Sequence, residues 1–91
     1  MQYFVYILKS NKDSSLYTGY TSNLKERLDR HNNGKISSTK HKIPFEIAYF
    51  ETHSTLEKAL ARERYLKSSK AKNLKNSLRR HHTFGGYSSV G

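Results

Sequence analysis

The chain contains no cysteine and no tryptophan, and it has a single proline, Pro44, in 91 residues. Without cysteine there is no disulfide framework, no thiolate zinc site and no thiol nucleophile, and a reducing compartment suits the chain. Acidic residues are also scarce, 7 Asp and Glu against 17 Lys and Arg, for a formal charge of +10. Apolar runs are short. The longest, Tyr3 to Leu8, falls far below the roughly 18 residues needed to span a bilayer, and no basic segment precedes an apolar core at the N-terminus. A soluble, cytoplasmic protein with no membrane partner is expected. The length fits one small domain and excludes dinucleotide-binding and barrel enzymes.

The positive charge is unevenly distributed. Residues 67–91 carry six cations (Lys67, Lys70, Lys72, Lys75, Arg79 and Arg80) and no anion, whereas acids accompany the cations elsewhere. Such a segment attracts polyanions by Coulomb steering and by release of counterions from phosphates. Nucleic acid is therefore the leading expected partner, with an acidic protein surface or a role in solubility as the alternatives.

Residues 3–9 are aromatic and β-branched without polar alternation, which predicts a strand buried on both faces. Turn formers fill 10–15, and Leu16 to Tyr20 resumes strand character, giving a hairpin. Gly19 in its second strand marks a bulge, a close backbone approach or an ordinary strand end. Asn23 with Glu26 has capping form and Gly34 provides a stop, which predicts a helix over about 23–33. One arc of about 100° on that helix holds Leu24, Leu28, Arg27 and His31, so a cation and an imidazole share the face meant for the core. A basic loop leads to Pro44 and a third strand over 45–51. Ser54 and Glu57 then have the form of a capping box for a second helix ending near Lys67. A third helical pattern, Ala71, Leu74 and Leu78, runs to Arg80. Residues 1–80 are thus expected to form the domain and 81–91, which lack periodicity, a flexible tail.

On the second helix Leu56, Ala59, Leu60 and Leu66 form an apolar stripe with Glu63 in its middle. A buried carboxylate left alone costs several kcal/mol, so Glu63 needs a cation, a metal, hydrogen-bond donors or a wet cleft. Arg27 is the natural structural partner, and a salt bridge and an active site are compatible. No phosphate-binding glycine loop, serine elbow or His-Glu-x-x-His helix occurs, and the adjacent pair His81 and His82 lacks helical ligand spacing. Hairpin tyrosines (Tyr3, Tyr6, Tyr17, Tyr20), an Arg with a His, and a lone Glu do not suit acyl transfer or sugar hydrolysis. They suit phosphodiester cleavage better, because phosphate and water can complete the shell of a metal held by one carboxylate.

The order Phe4-Val5-Tyr6, ten intervening residues, Tyr17-Thr18-Gly19, then Arg27, His31 and Glu63, resembles the GIY-YIG endonuclease superfamily, above all its small single-domain members. The likeness covers about residues 2–70. Phe4, Val5 and Thr18 depart from the motifs but leave both tyrosines in register, and neither Asn73 nor Asn76 takes a site role. The resemblance implies an α+β fold, a three-stranded antiparallel sheet flanked by helices, and divalent-metal-dependent hydrolysis of nucleic acid, DNA favoured over RNA, in repair or processing. It implies Tyr6 and Tyr17 as paired phenols acting on the attacking water, with Tyr17 favoured as base. Arg27 would stabilise transition-state charge, His31 would assist proton transfer or phosphate contact, and Glu63 would ligate Mg²⁺ or Mn²⁺. Gly19 would admit backbone and substrate closely, and Lys67, Lys70 and Lys72 would track the phosphates. With no appended module, specificity would come from the core or from a protein partner. The alternative is a non-catalytic nucleic-acid-binding or adaptor domain on the same fold.

Overall fold

The structure is a computed structural model that describes residues 1–80. The expected tail over 81–91 and the His81–His82 pair lie outside the described residues. Strands β1 (Tyr3–Ser10), β2 (Leu16–Thr21) and β3 (Phe45–His53) form one antiparallel sheet in the order β2-β1-β3. Helix α1 (Leu24–Asn32) packs on one face, and α2 (Leu56–Lys67) with α3 (Lys72–Arg80) on the other. The fold is α+β, a three-stranded antiparallel sheet flanked by helices. No helix among the described residues is long and apolar enough to cross a membrane.

The central strand explains the layering. Val5 and Ile7 point toward Ala59, Leu66 and Ala71 beneath α2 and α3, while Tyr6 and Leu8 join Phe45, Leu24 and Leu28 beneath α1. Alternation along a strand therefore feeds two cores from one apolar run. Lys9, also on β1, donates from Nζ to the carbonyls of Leu78 and Arg79 at 2.9 and 3.0 Å, closing the C-terminal end of α3 with a cation.

The first helix begins as expected, with the Asn23 side chain accepting from Glu26 N at 3.1 Å. Beyond its last turn Gly34 adopts φ +73°, a left-handed conformation that glycine supplies without strain. Helix α2 starts one residue later than the Ser54–Glu57 pattern predicts. Thr55 is the cap, its hydroxyl accepting from Lys58 N at 3.2 Å.

A second correction concerns which way α2 faces. Ala59 and Leu66 are fully buried, but Leu56 and Leu60 are 40% and 36% exposed. The small Ala59 lets the helix lie close to Val5 and Ile7, and Arg62 is tied to the sheet on the other flank of the stripe. Both constraints rotate α2 so that Leu56 and Leu60 leave the core. Glu63 consequently sits at the edge of the buried stripe, not in its middle.

A β-bulge between Ile7 and Leu8 has a further consequence on β3. Ile7 faces Tyr49 while Leu8 faces Ile47, so Ala48 is the extra residue. Side chains at 45 and 47 point to the α1 face, and those at 49, 51 and 53 point to the α2 face. Glu51 is thereby buried under α2, where it accepts from Arg62 Nε at 2.8 Å and Nη2 at 2.6 Å, from Tyr49 Oη at 2.6 Å and from His53 Nε2 at 2.8 Å.

Candidate active site at the edge strand

Strand β2 is an edge of the sheet, and the hairpin register fixes two phenols beside it. Tyr6 pairs with Gly19 and Leu8 with Tyr17, so both tyrosines emerge on the α1 face. A Cβ built at Gly19 would lie 2.5 Å from Tyr6 Oη and 2.8 Å from its Cζ. The missing side chain is what lets the Tyr6 ring cross the edge strand. The space at Gly19 that the sequence reserves for substrate is filled by this phenol. Gly19→Ala is therefore expected to cost about 1–3 kcal/mol through overpacking, because the phenol is 1% exposed and has nowhere to retreat. Thermal melts of wild type and variant measure the loss.

Helix α1 delivers the next two groups. Its C-terminal end is clamped to β3 by Asn32, which accepts from Phe45 N at 2.7 Å and donates to Phe45 O at 3.1 Å. The residue before it, His31, is completely buried, with its ring edge-on to Tyr17 at 4.9 Å between centroids and to Phe45 at 5.9 Å. His31 Nδ1 lies 2.8 Å from Thr39 Oγ1, whose hydroxyl is placed to donate to Ile36 O at 3.4 Å. That chain favours a proton on Nδ1 and leaves the Nε2 lone pair open. Among the described residues Nε2 has no hydrogen-bond partner, and the buried Tyr6 hydroxyl has only the Arg27 guanidinium near it, short of a well-formed hydrogen bond. An open lone pair on Nε2 and a phenol with so little polar company are a cost that a core alone does not explain.

The electrostatics agree with this picture. Burial pushes the Tyr6 phenol up to about 12; the nearby Arg27 cation opposes the rise, and Tyr17 and Glu63 add to it. Tyr6 is therefore a neutral donor at physiological pH. Burial, followed by the positive charges of Arg27 and Arg30, lowers the His31 pKa, so its imidazole is neutral as well. Glu63 reaches the same place from α2. Its side chain is 17% exposed and its partner is Lys67, at 3.3 Å, one turn along the helix. The pairing with Arg27 expected from the sequence is replaced by this local one, because Lys67 is one turn away and needs no loop to be ordered.

Tyr6, Tyr17, Arg27, His31 and Glu63 thus converge at the β2 edge. Among the described residues no three His, Cys, Asp or Glu side chains form a metal cage. A partly enclosed carboxylate beside phenolic oxygens instead fits a hard divalent cation, which keeps its waters and takes its remaining oxygens from a phosphate. Glu63 is the residue that would hold it.

The lysines divide. Lys67 and Lys72 line one groove of about 330 Å³ together with Ser68, Lys75, Asn76 and Arg79. Lys70 lines a separate groove with Ala61, Arg64 and Tyr65. Lys75 and Arg79, two of the six cations of the basic segment, line the same groove as Lys67 and Lys72. Thr39 and Asn32 were not visible as site residues in the sequence. Both act through contacts distant in sequence, which no local pattern announces.

The profile of the GIY-YIG catalytic domain matches residues 2–81 of the chain. A UPF0213 protein of Staphylococcus epidermidis is 47% identical over 68 residues, covering 74% of this chain and 82% of the relative. One from Clostridium perfringens is 46% identical over 65 residues, covering 70% and 69%. The solution NMR structure of a UPF0213 protein from Bacillus halodurans superposes with a TM-score of 0.51 at 33% identity, covering 86% of this chain and 85% of that one. With Tyr6 and Tyr17 on one face of the hairpin and Arg27, His31 and Glu63 near them, the chain belongs to the GIY-YIG family, and the relatives named above are UPF0213 proteins.

Proposed function

We propose that the protein is an endonuclease that hydrolyses phosphodiester bonds in nucleic acid with Mg²⁺ or Mn²⁺, and that it works in DNA repair or processing in the cytoplasm. DNA stands ahead of RNA on the family resemblance alone. The observation that carries the proposal is the convergence of Tyr6, Tyr17, Arg27, His31 and Glu63 at one sheet edge, with the Tyr6 phenol facing Arg27 and His31 Nε2 unpartnered among the described residues.

Each group then has a task suited to its state. The neutral Tyr6 hydroxyl donates a hydrogen bond that orients the attacking water or a phosphate oxygen. Tyr17, half-buried and in ring contact with His31, takes the water proton as its own proton passes toward His31 Nε2, a transfer that needs the two side chains to close up on substrate, since no donor lies within hydrogen-bond distance of Nε2 among the described residues. Thr39 holds the imidazole in the tautomer that can receive it. Arg27 lies against the charge that builds on the phosphoryl oxygens, where a fixed cation stabilises the transition state more than the ground state. A divalent cation on Glu63 would supply Lewis-acid polarisation of the phosphate and a lowered pKa for bound water. The groove formed by Lys67, Lys72, Lys75 and Arg79 holds the flanking backbone, and a protein partner supplies any specificity beyond it.

A second reading, a nucleic-acid-binding domain without turnover, draws on the Lys67–Glu63 ion pair, which already neutralises the carboxylate. Incubation of wild type and Arg27→Ala with plasmid, single-stranded and branched DNA and RNA, in Mg²⁺, Mn²⁺ or chelator, separates the two. Cutting that needs metal and falls about a hundredfold or more in Arg27→Ala supports the nuclease. Salt-sensitive binding with no cutting in any metal supports the binder.

A further inference from the structure

Beside the five converging side chains lies a cleft of about 360 Å³ lined by Tyr3, Tyr20, Thr21, Ser22, Arg27 and Leu56. Its volume falls at the low end of pockets that take small ligands, about 300–1,000 Å³. Arg27 belongs to both places, forming a wall of the cleft and acting on the Tyr6 phenol. Tyr3 and Tyr20 come from the opposite face of the hairpin, Thr21 and Ser22 from the end of β2 and the residue after it, and Leu56 from the start of α2. Tyr20 pairs with Val5, so it points away from Tyr6, toward the start of α2 and the side chain of Leu56. Tyr20 is 37% exposed and Leu56 40%. Among the described residues no acidic side chain lines the cleft.

We propose that this cleft receives one unpaired nucleobase next to the phosphate held by Arg27, and that the protein therefore prefers single-stranded or unpaired nucleic acid over duplex. The inference rests on the nuclease reading for the position of that phosphate.

The chemistry of the lining selects the occupant. Two phenol rings and a leucine leave apolar surface open on a chain of charge +10, where the incoming molecule is a polyanion. A base is the part of that polyanion with an apolar face, and stacking of a base on an aromatic side chain contributes about 1–3 kcal/mol. In a duplex the base faces are already stacked on one another and only the backbone and groove edges are presented. An unpaired base can turn out of the strand and enter, with the Ser22 hydroxyl and the Arg27 guanidinium beside its edge. Contact through the ring face reads no particular base, so the cleft selects for strandedness and not for sequence.

The test measures binding by fluorescence anisotropy in chelator, where no cutting occurs. The probes are a labelled single-stranded DNA of about a dozen nucleotides, the same sequence as RNA, and the same sequence as duplex DNA. The proposal predicts that single strands bind more tightly than duplex at equal salt. Tyr20→Ala should weaken single-strand binding about 5- to 100-fold and duplex binding less than about twofold. Tyr20→Phe should stay within about twofold of wild type, since the ring is kept, and Leu56→Ser should follow Tyr20→Ala in direction. Thermal melts confirm that these exposed substitutions leave the fold intact. Equal weakening of both forms by Tyr20→Ala, or no weakening of either, overturns the proposal. A cleavage assay in Mg²⁺ keeps the two readings apart. Selective loss of single-strand binding in a protein that never cuts sinks the nuclease and keeps the base cleft. Cutting of single strands that Tyr20→Ala leaves unchanged in KM sinks the cleft and keeps the nuclease.

Discussion

Replacing Glu63 by glutamine is expected to lower metal-dependent cleavage by roughly a thousandfold while leaving the protein folded and able to bind nucleic acid. The substitution keeps the shape of the side chain and removes the charge that would hold the cation. Loss of one group that stabilises transition-state charge typically costs about 10²–10³ in rate, and here no group of three or more His, Cys, Asp or Glu side chains among the described residues could hold the metal in its place. Stability should scarcely change. The Glu63–Lys67 pair is an i,i+4 contact with Lys67 57% exposed, and exposed pairs of that kind contribute at most about 1 kcal/mol. Initial rates in Mg²⁺, set beside anisotropy in chelator and a thermal melt, check all three parts of the expectation.

The largest loss of stability is expected from Glu51→Ala, a residue that takes no part in the chemistry. Its carboxylate is 4% exposed and accepts from Arg62, Tyr49 and His53 at once. Burial pushes its pKa up, but the hydrogen bonds from Arg62, Tyr49 and His53 together overcome burial and hold the pKa at about 2. Removing the acceptor strands three donors, and breaking such a network costs about 3–5 kcal/mol. Arg62 is 37% exposed and recovers part of this from water, which moves the expectation to about 3 kcal/mol. For a domain of this size that is a large share of the total, about 4–12 kcal/mol. Urea titration measures it directly.

The pH dependence follows from the same group. A carboxylate held below its unfolded value of 4.5 contributes fully above that pH and loses the contribution as the pH falls toward about 2. Wild-type stability should therefore decline across that interval, and the decline should be smaller in Glu51→Ala. Because Arg62 is the neighbour of Glu63, the same network sets the rotation of α2 and with it the place of the candidate metal ligand.

The parts of this molecule that were legible in the sequence were those with local causes. The aromatic and β-branched run of β1, the turn formers after it and the Asn23 cap each act within a few residues, so hairpin and first helix could be read directly. Arg27 and His31 on the apolar arc of α1 were legible for the same reason, since helical periodicity alone placed them together. The orientation of α2 was not. Leu56 and Leu60 look like core by hydrophobicity, and only the tether of Arg62 to Glu51 and the close approach of Ala59 turn them outward. That tether depends on the bulge at Ala48, which swaps the face of every β3 residue beyond it and leaves no sequence signature. Gly19 was visible as an oddity, but its reason, the phenol of Tyr6 crossing the strand, needed the register. Tyr20 was visible only as one hairpin tyrosine among four; its separation from Tyr6 and Tyr17 is a matter of which face it points to.

Glu63 is a single carboxylate that would bind metal only when nucleic acid supplies the remaining oxygens. Crystals grown with a cleavage-resistant phosphorothioate oligonucleotide and Mn²⁺, measured for anomalous scattering, examine that point directly. The predicted result is a metal peak about 2.1 Å from a Glu63 carboxylate oxygen and bonded to the strand's phosphate oxygens. A peak elsewhere, with Glu63 still paired to Lys67 and the oligonucleotide away from Arg27, would contradict it.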